Sequence, residues 1–380
     1  MPIPYGKQFI DQSDIRQVSK SLRNRLITTG KFVIDLEKKV QNFLSCKYAV
    51  TCSSGTAALH LAMLSLGLKK NQIVLMPAIN FIASYNIAKN MGAKIFLVDV
   101  DEYTGQITPD KILQCIKKNK LKNIQVLITM YQGGYPENIE EFYKLKKKYK
   151  FAIIEDGCHA FGAEYMIKKK FIKVGSCRHS DICTFSMHPV KTITSGEGGI
   201  VTTNNKGLAR KIKLYRSHGL VRNLKEYWKY DILKTGYNYR LSDINCALGL
   251  TQLKKINFFL KKRESICQRY IKELTNINPN LKLPRYSKFI KSANHLFLIN
   301  INFTKMKKKK DDFFNYLKKN KILAQFHYIP IYKFSVYKEN QIKFNGAEKY
   351  FKNSISIPIF VGLKIKEQTK IIKIIRKFFN

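Results

Sequence analysis

Between Lys47 and about Thr203, short apolar runs alternate with amphipathic stretches, and this alternation leaves few folds open. The apolar runs predict strands at Lys47–Cys52, Gln72–Met76, Lys94–Val98, Ile124–Met130, Ala152–Glu155, Ile182–Phe185 and Gly199–Thr202. The stretches between them predict helices at Thr56–Leu66, Phe81–Met91, Pro109–Lys118 and Ile139–Lys148. Thr108-Pro109-Asp110 has the chemistry of a helix start, a capping hydroxyl followed by proline at the first helical position. Strands and helices taking turns at this spacing call for an α/β domain around a largely parallel sheet. After Thr203 the rhythm changes. Helices are expected at Asn205–Ser217 and Ser242–Leu260, a helical connection ends between Tyr270 and Leu281, and strands follow at His295–Phe303 and Ala324–Tyr328. Lys309–Asn320 and Lys364–Phe379 complete a smaller α+β domain. The boundary is placed near Leu260, giving a large domain over 1–260 and a small one over 261–380.

Charge narrows the function. The chain carries 69 Lys and Arg against 26 Asp and Glu, a formal net charge of +43. A nucleic-acid binder is one explanation. However, Arg supplies only about a sixth of the basic residues, whereas phosphate and base readout favour Arg. The basic residues also run through the whole chain, with no basic tail. A positive field that draws in anionic substrates is the milder reading, and nucleic acid is not an expected partner. No apolar stretch approaches the ~18–20 residues of a membrane span. Met1–Lys7 has no apolar signal region. The eight cysteines include no CxxC pair and no metal-ligand spacing, so they read as reduced thiols in a cytoplasmic protein without a bound metal.

Three segments carry chemistry. In Cys52-Ser53-Ser54-Gly55-Thr56-Ala57-Ala58-Leu59 a strand enters a Ser/Gly/Thr turn that opens a helix. Free N–H groups, hydroxyls and the positive end of the helix dipole make such a turn a phosphate seat, or simply a helix cap. In Ile153-Ile154-Glu155-Asp156-Gly157-Cys158-His159 a buried strand ends in an acid. Asp156 there is placed to hold a protonated ring nitrogen or to cap the turn, since ligands of α/β sheets sit beyond the carboxyl ends of strands. In Phe185-Ser186-Met187-His188-Pro189-Val190-Lys191, continuing to Gly199, one lysine stands in a loop with no other Lys or Arg. A lysine with depressed pKa in a pocket can form a Schiff base.

Phosphate seat, ring-nitrogen acid and Schiff-base lysine, in that chain order, are what pyridoxal 5'-phosphate requires. On these segments, with Pro77–Asn86, Tyr215–Gly219, Gly236–Gln252 and Ile322–Tyr332, the chain resembles the DegT/DnrJ/EryC1/StrS sugar aminotransferases among the fold-type I pyridoxal phosphate enzymes. The resemblance covers nearly the whole chain, and Asn294-His295-Leu296 and Ile322–Tyr328 suggest the pseudaminic acid branch. It implies a large domain with a central, mostly parallel sheet and a smaller C-terminal α+β domain. It implies Lys191 as the Schiff-base lysine and proton carrier, and Asp156 as partner of the ring nitrogen. Gly55, Thr56 and Ser186 would hold the phosphate, with Ser54 beside them. Phe81 would stack on the ring and His159 would sit near its hydroxyl. Asn238 would reach the phosphate of the other subunit of a homodimer with shared active sites. Tyr5, Arg25, Leu26, Ile27, Thr28, His327, Tyr328, Ile329 and Pro330 would contact a nucleotide sugar. The implied reaction moves an amino group from L-glutamate to C4 of a UDP-linked 4-keto-6-deoxy-N-acetylhexosamine, with a GDP- or dTDP-linked sugar, or C3, as the alternative. One observation is independent of the resemblance. From Tyr286 to Ile375 there is no Arg, so a carboxylate clamp from the small domain, common in amino-acid aminotransferases, is missing.

Overall fold

The computed structural model describes residues 1–223, 225–226, 228–337 and 344–379. The chain opens with two helices, α1 (Gln12–Leu22) and α2 (Lys31–Leu44). The alternating region then runs β1 (Tyr48–Cys52), α3 (Gly55–Ser65), β2 (Ile73–Pro77), α4 (Ala83–Asn90), β3 (Lys94–Val98), α5 (Pro109–Lys118), β4 (Ile124–Met130), α6 (Ile139–Tyr149) and β5 (Ala152–Asp156). A hairpin, β6 (Glu164–Ile167) and β7 (Lys170–Lys173), precedes β8 (Ile182–Ser186), β9 (Gly199–Thr203) and α7 (Lys206–Arg216). Next come a second hairpin, β10 (Leu220–Arg222) with β11 (Tyr230–Ile232), and the helices α8 (Asp243–Lys254) and α9 (Ile256–Leu274). The C-terminal part holds β12 (Leu281–Lys282), β13 (Ile290–Lys291), β14 (Phe297–Ile301), α10 (Lys310–Lys319), α11 (Asn345–Asn353), β15 (Ser354–Ile357) and α12 (Ile365–Phe379).

Seven strands form the central sheet in the order β1-β9-β8-β5-β4-β2-β3. β9 alone runs against its neighbours; the others are mutually parallel. Strand residues alternate between two buried faces. Val74, Met76, Val126, Ile128 and Ile154 pack under α3, while Leu75, Leu127 and Ile153 pack with Ile112, Ile116, Phe142 and Leu145 of α5 and α6. This explains the unbroken apolar runs in the sequence, since a sheet covered on both sides has no polar face.

The register brings three strand ends to one edge. Met130 pairs with Asp156, Cys52 with Gly199, and Gly199 with Ser186. The turns after β1, β5 and β8, which carry the three chemical segments, therefore leave the sheet side by side.

The C-terminal part builds its own core on the antiparallel sheet β12-β14-β15, with Phe297, Ile299, Ile301, Ile355 and Ile357 facing Phe313, Leu317, Ile371 and Ile375. Ile3 from the N-terminus joins this core and bridges to Ile322. α9 passes from one core to the other, with Phe259 packed in the first and Ile266, Tyr270 and Leu274 in the second.

Two expected elements differ. Ser242–Leu260 is not one helix: it breaks at Lys255, whose N–H bonds Gln252 O, and the second helix continues to Leu274. Ala324–Tyr328 is not a strand. It makes a single bridge, Gln325 with Ser356, and the His327 carbonyl is taken by side chains, Gln132 Nε2 and Tyr350 Oη. No helix among the described residues is long and apolar enough to cross a membrane.

Candidate active site

α3 starts where the sequence placed the anion seat. Ser54 is its cap, with Oγ accepting the Ala57 N–H at 3.1 Å, so this hydroxyl performs the capping role. The N–H groups of Gly55 and Thr56 lie in the first turn, where a helix offers them no partner. Gly55 is required sterically: a Cβ there would lie 2.8 Å from Ser186 Cβ, at the end of β8. The helix N-terminus and the Ser186 hydroxyl are thereby pressed into one cradle, where a dipole end and several donors converge.

Asp156 ends β5 and is buried. One carboxylate oxygen accepts the Cys158 N–H at 3.2 Å, so the turn-capping role is also real. Burial pushes its pKa up, while the hydrogen bonds of Cys158 and the Lys191 charge pull it down. A buried carboxylate with so little compensation stabilises any cation brought to it. Lys191 lies in the loop joining β8 to β9, anchored by its N–H to His188 O at 2.9 Å. Burial pushes its amine below the ordinary lysine pKa, with Cys158 and Asp156 acting the other way. This raises the fraction of neutral, nucleophilic amine.

The opposite wall is aromatic. Tyr328 Oη lies 2.9 Å from His159 Nε2, and the Phe81 ring stands 5.7 Å from that of Tyr328. His327 Nδ1 is 2.8 Å from Ser356 Oγ, and the Tyr5 ring is 5.5 Å from His327. The His295 ring packs 4.4 Å from His159. Burial pushes the His159 pKa well down, aided by the charges of Lys191, His295 and His327.

One cavity of about 270 Å³ is lined by Tyr5, Ser54, Gly55, Thr56, Phe81, Asp156, His159, Ser186, Lys191, His327 and Tyr328. Residues from six distant stretches of chain meet there. A larger cavity, about 690 Å³, lies between Asp101–Glu137 and Ile271–Asn300, but contains none of these groups. The chemistry decides for the smaller one. Some expected residues lie outside it. Asn238 is exposed and bridges to Ser217. Arg25, Leu26, Ile27 and Thr28 are exposed on the segment before α2, tied down by Ile27 O to the Asp243 N–H and by Thr28 to Ser242. Ile329 and Pro330 lead away from the cavity toward Ile331, whose N–H bonds Ala78 O. The reverse also occurs: His295 and Glu197 line the cavity, and although Asn294–Leu296 and Phe185–Gly199 carry the resemblance, neither residue is given a site role by the sequence. Among the described residues, no group of three His, Cys, Asp or Glu is arranged to hold a metal.

The model of the DegT/DnrJ/EryC1/StrS aminotransferase family matches residues 8–376. The chain belongs to that family. It is 39% identical over 367 residues, 96% of this chain and 94% of the relative, to a UDP-4-amino-4,6-dideoxy-N-acetyl-beta-L-altrosamine transaminase of Campylobacter jejuni. It is 31% identical to the GDP-perosamine synthase of Escherichia coli O157:H7, over 100% and 99% of the two chains. Its fold matches that of Helicobacter pylori PseC, an aminotransferase involved in the biosynthesis of pseudoaminic acid, with a TM-score of 0.91, 28% identity and coverage of 100% and 99%. A putative sugar aminotransferase from Streptococcus pneumoniae in its PLP-form shares the fold, with a TM-score of 0.89 at 24% identity and coverage of 100% and 99%. The α/β architecture expected from the alternation is thus the fold of a sugar aminotransferase, and the chain is an aminotransferase of a pyridoxal phosphate-dependent family. The cavity residues fit that cofactor: they bring together an anion cradle too tight for a Cβ at Gly55, a buried acid and a buried lysine whose pKa is lowered.

Proposed function

We propose that this aminotransferase uses pyridoxal 5'-phosphate to move an amino group from L-glutamate to C4 of a UDP-linked 4-keto-6-deoxy-N-acetylhexosamine, a step toward pseudaminic acid, in the cytoplasm. The observation that carries the chemistry is the meeting of Lys191, Asp156 and the α3 N-terminus in one cavity. The choice of sugar is supported by the relatives, at 39% identity for the UDP-sugar transaminase against 31% for the GDP-sugar enzyme.

Gly55, Thr56 and Ser186 would seat the phosphate, with Ser54 holding the helix start in shape. Asp156 would hold a proton on the ring nitrogen, and Phe81 and His159 would confine the ring. When bound, the cofactor supplies an electron-withdrawing ring that makes a neighbouring C–H bond acidic. Lys191 Nζ would take up that proton and give it back, which requires an amine that changes protonation state near neutral pH. Tyr5, His327 and Tyr328 line the cavity and would meet the sugar. In a homodimer Arg25–Thr28 would complete the nucleotide site and Asn238 would reach the phosphate of the partner protomer. Exposed Leu22, Leu26 and Ile27, together with Tyr230, Ile232 and Leu233, offer apolar surface for that association.

The test is a panel of UDP-, GDP- and dTDP-4-keto sugars with glutamate as donor, the position of the new amine being read by NMR. Preferred turnover of the UDP-N-acetyl sugar with amination at C4 supports the reading. Preferred turnover of a GDP-linked sugar replaces it with the second reading, for which the perosamine synthase similarity is the ground.

A further inference from the structure

Arg263, on α9, is 2% exposed, and no carboxylate among the described residues lies within ion-pairing distance of it. Burial lowers its pKa to about 10, with the Cys267 thiol as the opposing influence. Burying a cation without a counter-ion is costly even after relaxation, so a neutral donor would satisfy backbone groups here at less cost. Its Nη1 lies 3.3 Å from each of three carbonyl oxygens, those of Asn294, His295 and Ile359. The same segment is held from its other edge, where the N–H groups of Ala293 and His295 bond Gly134 O and Gly133 O at 2.9 and 2.8 Å. The stretch bearing His295 is therefore clamped between the end of β4 and the buried guanidinium. From it the imidazole lines the cavity against His159. The Nδ1 atoms of both rings are buried without a partner among the described residues.

We propose that Arg263 is a positioning residue for the reaction, acting on the cavity through the backbone and imidazole of His295. The groups facing that imidazole are Arg263 behind it, Lys191 and His188 from the loop after β8, His327 from the small-domain loop and His159 from the turn after β5. None is an acid. Burial and these charges push the His295 pKa well down. Arg263 thereby fixes where the ring stands and, with burial and Lys191, favours its uncharged form toward a bound ligand. Only the kinetic consequence depends on the cavity being the transaminase site.

The test is a titration of ring-labelled histidines by NMR in the cofactor-free protein, with the His295 signal assigned by its loss in His295→Gln. In the wild type this signal is expected to stay neutral from about pH 8 to below the ordinary histidine value of ~6.5. In Arg263→Met its midpoint should rise by about one unit or more. Arg263→Lys, which keeps the charge, should leave it low. In the loaded enzyme the acid limb of kcat/KM should move up by the same amount in Arg263→Met, whereas a general packing defect lowers kcat/KM equally at every pH. A wild-type His295 that titrates near the ordinary value overturns the proposal without any variant. So does a folded Arg263→Met with an unmoved midpoint, or an Arg263→Lys whose midpoint rises to the ordinary value. A kinetic profile that does not move in an enzyme that still transaminates also overturns the proposal, whereas absence of transamination in the loaded wild type would cost the transaminase reading of the cavity instead.

Discussion

Lys191 and Asp156 form the smallest unit of this site, and their environments act in opposition. Burial pushes the lysine toward its neutral form and the acid toward its protonated form, while each charge partly offsets the other's desolvation. Lys191→Ala should lower the rate of amine transfer about a thousandfold or more, the scale of a lost acid–base group. Circular dichroism should stay unchanged, because the loop is held by the Lys191 main chain. Near-normal single-turnover transfer in this variant would remove the lysine from the mechanism. Asp156→Asn exchanges a charge-assisted bond for a neutral one. At about 1.5–3 kcal/mol for hydrogen bonds to charged groups, turnover should fall roughly ten- to a hundredfold. Because Cys158 still finds an acceptor in the amide, the turn should persist, so an unchanged kcat would return Asp156 to a capping role alone.

At the scale of elements, the contact between the α3 start and the β8 end is the tightest constraint. Gly55→Ala would drive a methyl into Ser186, and relief requires moving a helix end or a strand end. The expected cost is about 1–3 kcal/mol of stability, seen as a lower Tm, with a further loss in the Tm gain that added pyridoxal phosphate gives the wild type. Equal gains in both proteins would show that the cradle tolerates the shift. This contact was not visible in the sequence, although its glycine was. Elements with strong local signals were legible: Lys94–Val98, Ile124–Met130 and Pro109–Lys118 stand where periodicity and the Thr108 cap placed them. Ala324–Tyr328 misled because its apolar spacing imitates a strand, whereas its groups are taken up one by one by Gln132, Tyr350 and Ser356. α1 and α2 were passed over, though Asp11 and Asp14 form a capping box on the first of them. The three chemical turns were legible because each is local. His295 and Arg263 were not, because what gives them a role is packing between segments far apart in the chain.

At the scale of the whole molecule, the net charge of +43 predicts a steering field. kcat/KM for an anionic sugar nucleotide should fall as salt rises, with kcat moving less, because screening sets in over a Debye length of about 8 Å at physiological ionic strength. A flat profile would leave the lysines without a part in encounter. If Asn238 serves a neighbouring protomer, mixing Lys191→Ala with a disruptive Asn238 variant should restore activity, since about a quarter of all sites would inherit neither defect in a two-fold dimer. Continued silence after proven subunit exchange would confine Asn238 to its own chain. One feature of the fold also bears on how the site comes into being. Ile3 is stitched by backbone bonds to Lys321 and Leu323, and Tyr5, two residues on, forms part of the cavity wall. These partners are separated by more than three hundred residues of synthesis, so a chain emerging from the ribosome can assemble the sheet and its turns early but must hold this wall open. The amino-terminal end has no partner to dock on until Lys321 and Leu323 have been made. Catalytic competence therefore arrives only when the last third of the chain closes back on the first few residues.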